Sequence, residues 1–278
     1  DGEKVVHTFV DKKPISQFPH KPIDDLDAPI VMWEPPIKDP PFGLYVAGVD
    51  PYRQGKSEYS SSLGAVYIYK RMHELTGEKY QDMFVASYCA RPDKKETWEE
   101  QARYLIKYYN ARALCENDEI SFIDYMIAKG DAHYLERQPD WLKEIVPNTT
   151  VRRDYGIHRS SEKIRDFLHG CLKKYTEEVI HTEKDEDGNI KSETKGMAKI
   201  FDPVLLEEMI QYNESGNFDR IIAAELAIAL AMKLDPIMGK IGGEPDVRIQ
   251  SMFKKNKKNT LFTESRSMFN TPKNKMFR

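Results

Sequence analysis

Three short runs rich in aromatic and β-branched residues follow one another with only turn-forming sequence between them: LYVAGV at 44–49, LGAVYIY at 63–69 and YQDMFVASY at 80–88. The first is bounded by Pro-Phe-Gly and Asp-Pro, the last two are separated by a turn around Thr76-Gly77, and each reads as a strand. Connections this short favour antiparallel pairing of all three. Trp98, Ala102, Leu105, Ile106 and Tyr109 then recur at helical spacing and lead into ARALCE at 111–116. A strand, a helix and another strand make a right-handed crossover, which lays the new strand parallel to the first. With further helical segments near 119–129, 160–178, 203–213 and 218–233, the pattern predicts an α/β fold built on a mixed central sheet flanked by helices.

What surrounds that body is different in kind. Eight of the 16 prolines fall within residues 1–43, so this segment is expected to be extended, helix-free and a linker, with APIVMW at 28–33 as a candidate edge strand. Residues 177–196 alternate polar and β-branched positions around Asp187-Gly188 and predict a charged β-hairpin whose tip faces water. The body is expected to end near 235. Residues 240–278 carry ten Lys and Arg against three Asp and Glu, in a chain whose net charge is −3. The 236–278 tail is therefore basic, the body acidic, and a polyanion would be met locally. Cys89, Cys115 and Cys171 form no CxxC pair or even-numbered framework, which suggests a reducing compartment without disulfides. No apolar run reaches the roughly 18 residues of a membrane span. The opening DGEK is neither a signal peptide nor an initiator methionine, as expected of a piece of a longer protein.

The chemistry-bearing text begins at GVDPYRQGKS, 48–57. It ends like a phosphate-binding loop, but the position that a Walker A pattern fills with its first glycine is Asp50. A carboxylate repels phosphate and attracts a hydrated metal ion. Asp50 ends a buried strand, where open α/β sheets bind ligands; an Asp-Pro turn needs no function. Glu116 ends the crossover strand beside it. Asp219 opens the most apolar helix, where the helix dipole alone favours an acid. Together, three carboxylates on two neighbouring strand ends and a helix start can converge on two divalent cations roughly 3.5–4 Å apart. Mg²⁺ suits such a site, since it takes few carboxylates and keeps positions for water or phosphate. The seven histidines show no metal-binding spacing, and no GxSxG or Ser/His/Asp pattern occurs. Lys56, Arg152, Arg153, Arg159 and Lys163 are candidate contacts to backbone phosphates, although the Ser160-Ser161 stretch also reads as an ordinary helix entry.

The succession GVDP after a strand, LCEN after a helix–strand step, YGIHRSSEK, and NFDRIIAA after a charged hairpin resembles the nuclease domain of the large terminase subunit of tailed bacteriophages, over roughly 30–235. The resemblance implies an RNase H-like fold and Mg²⁺- or Mn²⁺-dependent cutting of concatemeric double-stranded viral DNA during genome packaging. It implies Asp50, Glu116 and Asp219 as catalytic metal ligands. It further implies a missing N-terminal ATPase domain ahead of the linker, partnership with portal protein and the small terminase subunit, and a place in the host-cell cytoplasm rather than a membrane. One departure stands out: Arg220 occupies the position where many relatives have a second acid, leaving Asp118, Asp202 or Glu225 as alternatives for a fourth ligand.

Two other readings stay open. A sugar-kinase or actin-like ATP-binding domain shares the topology and a strand-end aspartate, but it would want glycines where Pro51-Tyr52-Arg53 stand. A non-catalytic docking or DNA-binding module of a packaging complex would make the acids structural.

Overall fold

A computed structural model describes residues 4–53, 62–71, 82–146, 154–213 and 216–234. The expected strands form one mixed sheet: β1 (Val31–Met32), β2 (Tyr45–Asp50), β3 (Gly64–Lys70), β4 (Met83–Ala90) and β5 (Arg112–Cys115), in the spatial order β1-β4-β3-β2-β5. β2, β3 and β4 pair antiparallel in sequence order, and the crossover through helix α1 (Lys95–Tyr108) returns β5 parallel to β2. Three antiparallel strands, a crossover and a parallel fourth, with helices on both faces, give the mixed α/β arrangement of an RNase H-like fold. Beyond β5 the sheet continues, among the described residues, as single bridges, Ala113 to Leu135 and Glu116 to Ile157, both parallel.

β2, β3 and β4 are buried along their whole length. Both faces are covered, which is why these strands read as apolar runs rather than alternating ones. One face packs against α1 and α2 (Ser121–Ala128) through Trp98, Ala102, Leu105, Ile106, Phe122 and Met126. The other carries α4 (Glu162–Glu177), α5 (Pro203–Gln211) and α6 (Asp219–Leu234); a short α3 (Trp141–Ile145) lies against α4. α6 is buried almost all round and lies directly on β2 and β3. That closeness depends on Gly48 in the middle of β2: a Cβ there would sit 1.8 Å from the Ala223 carbonyl oxygen and 2.5 Å from the Ala227 nitrogen. A helix with little sidedness also needs something polar to fix its start. Arg220 supplies it, donating to Glu208 of α5 at 3.0 Å while Glu208 accepts the Ile221 N–H at 3.3 Å. The residue that departs from the resembled pattern therefore ties α6 to α5.

The charged hairpin is present as β6 (Val179–Lys184) and β7 (Ile190–Lys195), exposed almost throughout. Gly188 supplies the left-handed turn position, φ 84°, and Asp185 accepts the Asp187 and Asn189 N–H groups at 3.0 and 2.7 Å.

Residues 4–43 form no helix, as their prolines require; 4–14 are mostly exposed, and from Ile15 onward the segment packs on the body. Ile15, Leu26, Ala28, Ile30 and Met32 join the core on the α1 face, while Phe18 and Trp33 join the α6 face. β1 is the anticipated edge strand, pairing with β4. Glu34 reaches the fully buried Lys70 at 2.6 Å. The turn at Thr76-Gly77 and the basic 236–278 tail lie outside the described residues. No helix among the described residues is long and apolar enough to cross a membrane.

Candidate functional site

The parallel register of β2 and β5 pairs Val49 with Cys115, and the Glu116 N–H donates to the Val49 carbonyl at 2.8 Å. Asp50 and Glu116 therefore leave adjacent strand ends side by side, and their carboxyl groups share a hydrogen bond. The antiparallel register pairs Asp50 with Ala65, so Leu63 and Ser62 lie just past the same end of the sheet. There they hold Asp219: its carboxylate accepts from the Leu63 N–H at 2.7 Å, the Ser62 hydroxyl at 3.1 Å and the Asn217 amide at 3.0 Å. Three acids from three distant stretches of sequence are thus brought to one end of the sheet, Asp50 and Glu116 side by side and Asp219 held by its own partners.

Burial makes the two aspartates reluctant anions. Asp50, 5% exposed, has a carboxyl raised well above the usual range, first by burial and then by Glu116 and Asp219, with Arg159 pulling the other way. Burial pushes Asp219 up to about 6 against the hydrogen bonds it accepts. Asp118 is raised by burial and by Glu116, and its carboxylate contacts His158. This is a donor set of oxygens only, holding more negative charge than a buried crevice tolerates, and a hard divalent cation is the ligand that relieves it. Asp50 and Glu116 suit that role, with Asp219 and Asp118 beside them. Among the described residues no three such side chains converge as a ready-made cage: Asp50 and Glu116 hydrogen-bond each other, and Asp219 is turned to 62–63 and 217.

The alternatives for a fourth acid separate cleanly. Asp202 caps α5, accepting the Val204 and Leu205 N–H groups at 2.9 and 3.3 Å, and takes the Tyr67 hydroxyl as well. Glu225, two turns into α6, is 0% exposed and held between Arg159 at 2.9 Å and His169 at 3.1 Å. Asp118 alone lies next to Glu116 with its charge unneutralised by a backbone cap.

Of the candidate phosphate contacts, Lys163 is exposed on the first turn of α4. Arg159 is buried among the acids, with Nη1 3.9 Å from Glu116. Lys56, Arg152 and Arg153 lie outside the described residues. The sequence hid the inward turn of Arg159, because its cause is the single bridge between Ile157 and Glu116 that draws His158 and Arg159 alongside the strand ends. Ser161 is the residue before α4, but its hydroxyl makes no cap. Cys89, Cys115 and Cys171 are free thiols, all buried.

No known protein family matches this sequence, and no curated protein does. Among solved structures the chain is similar to the crystal structure of the large terminase nuclease from thermophilic phage G20c, at a TM-score of 0.39 and 11% identity, over 78% of this chain and 93% of that one.

Proposed function

We propose that this chain is a metal-dependent DNA endonuclease, the nuclease part of a viral genome-packaging terminase that hydrolyses phosphodiester bonds of concatemeric double-stranded DNA in the host cytoplasm. The observation that carries the reading is the placing of Asp50 and Glu116 side by side at one sheet end with Asp219 near them, so that burial and both neighbouring acids raise the proton affinity of Asp50. The order of the four motifs supports it independently. Mg²⁺ or Mn²⁺ held by Asp50, Glu116 and Asp219 would supply Lewis-acid activation of water and stabilise the leaving oxygen.

The chain's own groups do the rest. Ser62, Leu63 and Asn217 orient Asp219, the strand register orients Asp50 and Glu116, and burial keeps bulk water away. Exposed Lys163, together with Lys56, Arg152 and Arg153, would contact backbone phosphates, which fix register without reading bases. Portal protein, the small terminase subunit and an ATPase domain preceding the linker would be the macromolecular partners.

The test is plasmid nicking by the purified chain with Mg²⁺ or Mn²⁺. Activity should vanish with EDTA and fall about a hundredfold or more in Asp50→Asn, Glu116→Gln and Asp219→Asn, since even residues behind metal ligands are worth 10–100-fold. Cutting that persists in all three folded variants would overturn the site. A folded wild type that neither cuts nor binds Mn²⁺ would point to a docking module, and micromolar ATP binding would point to the kinase-like reading.

A further inference from the structure

Arg159 is 9% exposed and sits within a group of acids. Its Nη2 donates to Glu225 at 2.9 Å, a full ion pair with a carboxylate that has no exposure at all. Its Nη1 lies 3.9 Å from Glu116, within electrostatic reach but beyond hydrogen-bond length. Its field also reaches Asp50 and Asp118. Nε is buried and has no hydrogen-bond partner among the described residues. The backbone behind it is fixed by Arg165 of α4, which donates to the Arg159 and Ser160 carbonyls at 3.2 and 3.0 Å. The guanidinium is thus anchored on the side away from the strand ends, and it lends charge to Glu116 without occupying that carboxylate's lone pairs.

We infer that Arg159 is a resident counter-cation that would hold the acidic site together whenever no metal is bound and thereby sets how tightly a divalent metal binds there. Glu225 is its anchor, and His169, hydrogen-bonded to the other Glu225 oxygen at 3.1 Å and stacked on Tyr212 at 4.6 Å, holds Glu225 in place. The inference rests on the metal-site reading of Asp50 and Glu116. Its physical content is a competition. A buried positive charge stabilises neighbouring carboxylates when no metal is present, and it repels a divalent ion about twice as strongly as the proton that the ion displaces. Arg159 is then a positioning residue whose removal should strengthen metal binding, the opposite of what losing a structural prop does.

Mn²⁺ titration of the full chain by calorimetry at pH 8, with circular dichroism to verify folding, tests this without any measurement of cutting. Arg159→Gln should bind Mn²⁺ roughly tenfold more tightly, the low end of what an opposite charge close to a carboxylate does to its proton affinity, 1–3 units. Its metal-free melting temperature should fall, and the gap between metal-free and metal-loaded melting should widen. Arg159→Lys, which keeps the charge, should stay near wild-type affinity. Because the single variant leaves Glu225 buried without its cation, Glu225→Gln and the double variant complete the set. Glu225→Gln should weaken binding, and adding Arg159→Gln to it should restore binding. Unchanged or weaker binding in Arg159→Gln, or a double variant no tighter than Glu225→Gln, would overturn the inference. Wild-type protein that binds no Mn²⁺ would overturn the metal reading itself and the inference with it.

Discussion

Asp50 and Asp219 bind protons more tightly in the folded chain than an exposed aspartate does, Asp219 with a value of about 6. Where the folded state holds a proton that the unfolded chain has released, stability falls as pH rises. For Asp219 that window runs from the ordinary aspartate value, about 4, up to about 6, and Asp50, raised by burial and by Glu116 and Asp219, acts in the same direction. These two groups therefore stabilise the metal-free protein on mild acidification and cost it stability at neutral pH. Asp50→Asn should raise the melting temperature in EDTA at pH 7.5 by about 2–4 °C, the effect of ~1 kcal/mol in a domain of this size. It should also flatten the dependence of melting on pH, and a lower melting temperature would contradict the account. Much of this site could be anticipated from sequence, because an acid at the end of an apolar run marks a strand end and one opening an apolar helix marks the helix start. Arg159 could not be placed so, because its neighbours Ser160, Ser161 and Lys163 give the same text as a solvated helix entry.

The strands and long helices were legible because burial on both faces writes continuous apolar runs and α1 writes a clear 3.6-residue stripe. α3, five residues long, leaves no period to read, and the strip beyond β5 consists of single bridges. The contact that aligns Asp219 with Asp50 is also invisible in periodicity: α6 has almost no polar side, and its seat on the sheet is set by one glycine. Gly48→Ala would drive a methyl group into the Ala223 and Ala227 backbone. We expect a loss of at least the ~1–3 kcal/mol typical of overpacking, seen as a lower urea midpoint. Mn²⁺ binding should weaken even under conditions where the variant stays folded. Full stability in Gly48→Ala would mean that α6 can lift off β2 at little cost.

At the largest scale the described residues form a central sheet between two helical layers, with the β6–β7 hairpin apart from it, and the segment from Ile15 to residue 43 touches both layers. Sequence composition read this segment as a linker because prolines exclude helix; they say nothing of whether the extended chain finds a groove. Here it does: Phe18 donates its N–H to Glu207 of α5 at 2.9 Å, Arg91 donates to Leu26 at 2.7 Å, and Trp33 donates to Val85 at 2.8 Å. Glu34 also provides a carboxylate for Lys70, whose side chain is 0% exposed. Glu34→Gln should cost about 3 kcal/mol, the low end for breaking a buried pair, because Glu34 itself is partly exposed. Chemical denaturation measures this, and a change within experimental error would show that Lys70 is satisfied without it. From Ile15 to Trp33 the extended segment is a tie bar: Ile15, Leu26 and Ala28 fasten it on one side of the sheet and Phe18 and Trp33 on the other, so a pull on the chain ahead of Ile15 would be shared by the two layers instead of peeling one away from the other.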